Sequence, residues 1–430
     1  MASGTSWGRY PAVPGQRGLD LFDRHAPLPA FEGTALPYGN GRSYGDSCLN
    51  PGGTILRTRR LDRFIEFDPA TGVLRCEAGT TLSEIIDLTL PQGWFLPVTP
   101  GTRYVTVGGA IANDVHGKNH HCAGTFGHHV LAMELLRSDG QRHLLAPGAP
   151  LFEATVAGLG LTGVITWASL QLRRVPGPWM EVESIRFDNL DEFFHWSKQS
   201  APLYEYTVAW IDCIARGKAL GRGHFLRADH AAGDHRPVPK PSHLVMPFVP
   251  PVSLVNKLSL RPFNWLYYHR QRQTHRRDFT HYAPYFYPLD GVANWNRMYG
   301  PRGFLQHQCA LPPATARTAV AEILVEIARS GTGSFLAVLK EFGGRPSPGM
   351  LSFARPGTTL ALDFPNDGEG TFRLLNRLDR VVAQAGGAIY PAKDARMSGE
   401  LFRQAFPRWE EFSRLADPRF SSGFWRRVME

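Results

Sequence analysis

Between Pro97 and Gly127 the chain reads PVTPGTRYVTVGGAIANDVHGKNHHCAGTFG, and this stretch gathers the residues best suited to chemistry. Gly101, Gly108, Gly109, Gly117, Gly124 and Gly127 are interspersed with His116, Lys118, His120 and His121. Glycine has no Cβ, so at these points backbone can approach a ligand closely. Bare N–H groups then face the ligand and hold phosphate oxygens. Lys118 adds positive charge and the histidines add donors. Val105, Val107, Ala110, Ile111 and Ala112 make the middle of the stretch too apolar for an open surface loop. The spacing is neither GxGxxG nor GxxxxGK[ST], so neither a Rossmann dinucleotide loop nor a Walker A loop is supported.

Two further glycine-rich elements frame this one: PYGNGRSYGD at Pro37–Asp46 and GLGLTGVIT at Gly158–Thr166. Short alternating strands are expected at 54–58, 64–67 and 73–79, followed by a helix over 82–90 that Pro91 and Gly93 end. His129–Arg137 and 143–145 form a hairpin around Ser138-Asp-Gly140, Pro150 opens a helix, and Val164–Arg173 is a strand that closes a first region near Pro176. A strand at 180–187, a helix at 189–198 and a strand at 204–214 then announce an α+β region with an antiparallel sheet. Thr315–Ser330 has the 3.6-residue period of an amphipathic helix. Strands are expected at 335–342 and 358–364, and a second long helix at 370–385, stopped by Gly386 and Gly387.

Between Ala232 and Arg277 the composition shifts. Pro237, Pro239, Pro241, Pro247, Pro250, Pro251 and Pro262 are expected to break regular structure. The segment SLVNKLSLRPFNWLYYHRQRQTHRR follows the cluster of prolines and mixes aromatic anchors with basic residues. It reads either as a flexible lid or as a membrane-surface patch, with Trp265, Tyr267 and Tyr268 at headgroup level and arginines meeting anionic lipid.

A chain of 430 residues allows two or three domains with ample core. A formal charge of +9 points to an anionic ligand or surface, and the absence of zinc-finger, helix-turn-helix and RNP motifs argues against nucleic acid. Five scattered cysteines (Cys48, Cys76, Cys122, Cys213 and Cys309) without a CxxC pair read as free thiols in a reducing compartment, with no metal site. The start MASGTSWGRYPAVPG lacks the basic and apolar regions of a signal peptide, and no run of about 18 apolar residues could span a membrane. A cytoplasmic protein, peripheral at the membrane, is the expectation.

The three glycine-rich elements, in this order, resemble the PCMH-type FAD-binding domain of the vanillyl-alcohol oxidase family. GRSYGD, the 97–127 stretch, GLGLTG, NWNRMYG, GFLQHQ, YPAKDAR and FPRWEEF resemble the branch of that family that oxidises polyprenylphosphoryl ribose, in order from about Trp7 to near the C-terminus. The resemblance implies an α+β, two-domain flavoprotein. Its FAD-binding domain is residues 1–178 plus 387–430. Its substrate domain is residues 179–386, with an antiparallel sheet and a flexible Pro-rich, basic loop at about 232–277.

The activity implied is FAD-dependent oxidation of the 2′-hydroxyl of polyprenylphosphoryl-β-D-ribose to the 2′-keto sugar. This is the first half of epimerisation to the arabinose form used for cell-wall arabinan, and an NAD(P)H-dependent short-chain reductase completes it. The alternatives are an FAD-dependent sugar or alditol oxidase that uses oxygen and a non-catalytic flavin-binding protein.

The resemblance also implies roles for residues. Tyr38, Gly39, Asn40, Gly41, Arg42 and Ser43 cradle the pyrophosphate. Pro100, Gly101, Thr102, Thr106, Gly108, Gly109, Asn113, His116, Gly117, His121 and Gly124 follow the ring and pyrophosphate. Gly163 and Ile165 lie on the adenosine side and Tyr390 near the isoalloxazine. Tyr44 stands where many relatives carry a flavin-linked histidine, so FAD is expected to be non-covalent; attachment through His116, His120 or His121 is the alternative. Lys393, His116 and Lys118 are the catalytic candidates, Lys393 as base or as charge stabiliser. Gln306, Gln308 and Lys340 are the candidate substrate contacts, the two glutamines sharing one face of a strand. Three family positions differ here: an asparagine becomes Thr359, a cysteine that nitroaromatic inhibitors trap becomes Ala361, and a tyrosine near the lid becomes Phe286.

Overall fold

The structure is a computed structural model that describes residues 4–233 and 244–430. Its N-terminal part holds two sheets of more than two strands. A parallel sheet orders Arg17–Asp20, Thr54–Arg57 and Ala35–Tyr38. An antiparallel sheet orders Phe64–Asp68, Val73–Glu77, Val164–Gln171, Val130–Leu136 and Arg142–Leu145. The helix Leu82–Thr89 starts where expected, because Thr81 and Glu84 form a reciprocal capping box. The short helix Val107–Ala112 is capped by Thr106, whose Oγ1 accepts the Gly109 N–H at 3.1 Å.

The central feature is an eight-stranded sheet in the spatial order His275–His281, Trp179–Phe187, Gly223–Ala231, Tyr206–Ile211, Ala337–Phe342, Gly357–Pro365, Phe304–Leu311 and Ala388–Ile389. All its neighbouring pairs are antiparallel. Three helices, Leu190–Ser200, Pro313–Ser330 and Glu369–Gln384, pack on one face of it. Val320, Ile323, Leu324, Ile327, Leu374, Leu378 and Val382 are fully buried there, each worth roughly 1.5–3 kcal/mol of transfer free energy. The opposite face, with the glycine-rich segments, encloses the cavity described below.

The C-terminal helices Gly399–Ala405, Trp409–Leu415 and Gly423–Met429 return to the N-terminal region. Arg427 bridges Asp46 at 2.7 Å and Asp394 at 3.1 Å, and Asp417 accepts from the Ser138 backbone and hydroxyl. The segment carrying Lys393 is thereby fixed against the first glycine-rich loop.

Two expectations fail. Pro262 does not break structure: it lies inside the helix Lys257–His269. Asn256 caps that helix through Leu258 N and Ser259 N, and Leu260, Asn264 and Tyr268 bury its inner face. Pro262 is on the exposed side, so water can reach the carbonyl it leaves unpaired. The strand His275–His281 takes up the end of the same segment, so 257–281 is ordered structure rather than a loop. Pro237, Pro239 and Pro241 lie outside the described residues. The N-terminal segment is tied down from Trp7 onward: Trp7 N donates to Ser43 O, Gly8 N to Tyr44 O, and Phe304 N to Gly8 O.

Candidate active site

The loop Gly39–Ser43 leaves the strand Ala35–Tyr38 and enters a cavity of about 1170 Å³. This exceeds the roughly 300–1,000 Å³ of ordinary small-molecule sites, so it has room for a dinucleotide and a second ligand. Among the described residues, the backbone N–H groups of 39–43 have no protein partner. Arg42 runs alongside, its guanidinium 4.2 Å from the Trp7 ring and 5.6 Å from the Tyr104 ring, and its buried Nε has no partner either. A row of free donors with one cation is the arrangement a diphosphate requires. Burial pushes the Arg42 pKa down, while Asp290 opposes that shift. The residues present therefore fit FAD.

The opposite wall comes from alternating positions of the large sheet. Gln306 and Gln308 share a face of one strand; Thr359, Ala361 and Asp363 face them from the next, and Val338 and Lys340 from the third. Gln306 Nε2 donates to Asp363 Oδ1 at 2.6 Å. His116 Nε2 lies 2.9 Å from the Gln308 side-chain nitrogen, and its Nδ1 lies 3.3 Å from Lys340 Nζ. A neutral imidazole has one N–H. The network is satisfied when Lys340 donates to Nδ1 and Nε2–H donates to a Gln308 amide turned to present its oxygen. Burial, then Lys340, holds the His116 pKa well below its ordinary value, so this histidine is neutral.

Lys393 Nζ sits 3.5 Å from the centre of the Tyr44 ring. Tyr44 N donates to Ala392 O, and a Cβ on Gly45 would run into the Asp394 carbonyl, so the two segments touch backbone to backbone. Burial drives the Lys393 pKa down; Asp363 pulls it back up and Lys340 pushes it further down. Burial raises Asp363, and Gln306 and Lys393 counter it. Lys340 is pushed down to about 8 by burial, and Lys118 to about 7 by burial and Lys340. Each of these three lysines keeps part of its surface open to the cavity; excluding that remaining solvent would deepen the shifts.

The structure brings most of the expected residues together. Gly39, Asn40, Gly41, Arg42, Ser43, Tyr44, Pro100, Gly101, Thr102, Thr106, Gly108, Gly109, Asn113, His116, Gly117, Gly163, Ile165 and Tyr390 line the cavity. So do Lys393, Lys118, Gln306, Gln308, Lys340, Thr359, Ala361 and Phe286.

Three expected cofactor positions stand outside it. Tyr38 turns its hydroxyl to the Thr5 carbonyl at 2.7 Å. His121 Nε2 meets the Tyr204 carbonyl at 2.9 Å. Gly124 ends the short helix His120–Ala123 at a positive φ of 74°. Lys118 lines the cavity but is engaged away from any anion: Nζ donates to Phe286 O at 3.0 Å and lies over the Tyr285 and Phe286 rings.

Asp363 was not among the expected site residues, although alternation from Thr359 and Ala361 along one strand would have found it. Trp210 and Tyr267 also line the cavity and were missed as site residues. Only the fold brings them to the same face.

Comparison with known proteins turns this fit into an assignment. Residues 30–145 match a family described as an FAD binding domain, so the protein is an FAD-dependent oxidoreductase. Along 410 residues it is 39% identical to decaprenylphosphoryl-beta-D-ribose oxidase of Mycolicibacterium smegmatis, covering 91% of this chain and 88% of that protein. The chain belongs to the decaprenylphosphoryl-β-D-ribose oxidase family. It is also 24% identical over 393 residues to alditol oxidase of a Streptomyces species, covering 88% of this chain and 86% of that protein. FAD is the cofactor that this family assignment gives the chain.

Proposed function

We propose that the protein oxidises the 2′-hydroxyl of a polyprenylphosphoryl-β-D-ribose to the 2′-keto sugar. The observation that carries this is the pairing of a hydroxyl-binding cluster (Lys393, Asp363, Gln306, Gln308) with apolar walls in one cavity. FAD, when bound, accepts the hydride from the carbinol carbon. Gln306 and Gln308 hydrogen-bond the sugar hydroxyls and fix the ring. Lys393 either takes the hydroxyl proton at a neutral Nζ or, already protonated, stabilises the alkoxide that develops, and the charge of Asp363 biases it toward the protonated form. Neutral His116, held between Lys340 and Gln308, keeps Gln308 in register. Lys340 meets the substrate phosphate.

In this reading residues 1–178 with 387–430 hold the cofactor and residues 179–386 shape the substrate side. The keto product needs a hydride returned to the sugar carbon to reach the arabinose form, and an NAD(P)H-dependent short-chain reductase is the partner that supplies it.

A peripheral membrane surface completes the proposal. No helix among the described residues is long and apolar enough to cross a membrane. Leu244, Val245, Phe248, Val252, Leu258, Trp265 and Leu266 are nevertheless exposed, beside the basic Lys257, Arg261, Arg270 and Arg272. Such a patch suits insertion of apolar side chains among anionic headgroups. Tyr267 and Tyr268 do not belong to it: Tyr267 packs on Trp210 at 4.4 Å, and Tyr268 is buried with its hydroxyl bonded to Asp188.

Anaerobic bleaching of the flavin tests the function. Polyprenylphosphoryl ribose is expected to bleach it, free ribose and xylitol are not, and Lys393→Ala is expected to retain FAD while losing bleaching. Bleaching by free polyols would move the protein to the alditol oxidase class.

A further inference from the structure

We propose that the cavity continues beyond the sugar site as a groove for a linear polyisoprenoid chain, laid across the inner face of the large sheet from Val338 to Arg276. This rests on the reading above that the substrate is lipid-linked, and it specifies where the lipid goes.

The register defines the groove. Val338 pairs with Trp210; Val208, two residues away on the same face, pairs with Leu226; Leu226 pairs with Ser184, and Ser184 with Arg276. All of these line the cavity. They step across five consecutive strands, a span of about 19 Å at 4.7–4.9 Å per step. The walls are aromatic. Tyr267 packs on Trp210 at 4.4 Å, and Phe286 packs on Tyr206 at 4.9 Å. Tyr206, Val208 and Trp210 alternate onto one face, so Val208 is left as open floor between the two walls.

The floor asks for an apolar guest. Short of Arg276 at its far end, the donors of its two polar side chains are already satisfied: Ser184 Oγ donates to Gln271 Oε1 at 2.7 Å, and Trp210 Nε1 donates to Phe335 O at 2.8 Å. A hydrocarbon laid over them strands no donor. The far end is marked by Arg276, largely exposed and paired with Asp278 at 2.9 Å, so a longer chain leaves the protein there. A three-bond peptide unit extends by about 3.3–3.6 Å, so a four-bond isoprene unit extends by roughly 4.5–5 Å, and the groove holds about four units.

The test uses β-D-ribosyl phosphate esters with methyl, C10, C20 and C50 tails on the FAD-loaded enzyme, with kcat/KM read from anaerobic flavin reduction. In the wild type kcat/KM is expected to rise by roughly 100-fold between methyl and C20, the effect of burying only a few methylenes, and then to level off. Leu226→Trp, which fills the floor, is expected to cut the C20-to-methyl ratio by at least tenfold. Flavin content and Tm report whether that variant folds, and Val208→Phe is a smaller intrusion with the same expected direction. Geranylgeranyl phosphate, which has no sugar to oxidise, is expected to bind the wild type by equilibrium dialysis and to bind Leu226→Trp at least tenfold more weakly. Equal kcat/KM for every tail, or equal geranylgeranyl phosphate binding by both proteins, overturns the groove and leaves the oxidase reading standing. Reduction by none of the esters overturns the oxidase reading, and the dialysis still decides the groove.

Discussion

Asp363→Asn is the substitution that most directly probes the site. Asp363 is 2% exposed, and its Oδ1 accepts from Gln306 at 2.6 Å, a contact the isosteric amide retains. What changes is charge. The negative carboxylate favours protonated Lys393 and so raises its pKa against the downward pull of burial and Lys340. Removing it lets the Lys393 pKa fall. The loss of an opposite charge at close range shifts a pKa by about 1–3 units, or about 1.4–4 kcal/mol of differential protonation energy.

The assay is the pH dependence of kcat/KM for anaerobic flavin reduction. If neutral Lys393 takes the hydroxyl proton, the acid limb of the wild-type profile reports its deprotonation, and in Asp363→Asn that limb moves about 1–3 units toward lower pH. If protonated Lys393 stabilises developing alkoxide, the profile instead has a basic limb. That limb then moves down by the same amount, and activity near pH 8 is lost. A profile with unmoved limbs would refute the coupling of Asp363 to Lys393.

Three further outcomes are expected. Arg42→Met removes the cation beside the free N–H groups of 39–43; FAD affinity should fall roughly 10–100-fold, as for one lost charged hydrogen bond, and FAD binding titrations check it. Gly45→Ala drives a Cβ into the Asp394 carbonyl. A loss of about 1–3 kcal/mol, seen as a Tm lower by roughly 2–10 °C, should accompany reduced FAD content, and an unchanged Tm would contradict that close approach. The pair Leu258→Asp and Leu266→Asp, both fully outside the cavity lining, should abolish co-flotation with anionic vesicles while reduction by a short-tailed ester proceeds; flotation equal to wild type would disprove the membrane patch.

Much of the cofactor side was legible without coordinates, because its signals are local. A glycine that must approach a ligand, as in Gly39–Ser43, is needed by its own backbone, and the order of the three glycine-rich segments survives any folding detail. The amphipathic helix at 313–330 and the strands carrying Gln306 and Gln308, and Thr359 and Ala361, show their period over a few residues. The helix Lys257–His269 was not legible. Its interior proline argued for a break, and the contacts that hold it, such as Asn264 to Asp212 at 2.9 Å, link residues far apart in the chain.

The amino-acid sequence by itself determined the family, the FAD-binding class and the residue types lining the cavity, since these reside in short motifs and strand alternation. Only the tertiary structure decided what the charged groups do. It turned Lys118 toward the Phe286 carbonyl, wedged His116 between Lys340 and Gln308, and coupled the charge of Lys393 to that of Asp363. It also opened one continuous face across five strands whose members are dispersed from Ser184 to Val338. A pKa is set by burial and by neighbours distant in sequence, and a groove by the register of non-consecutive strands. Neither quantity exists until the chain is folded.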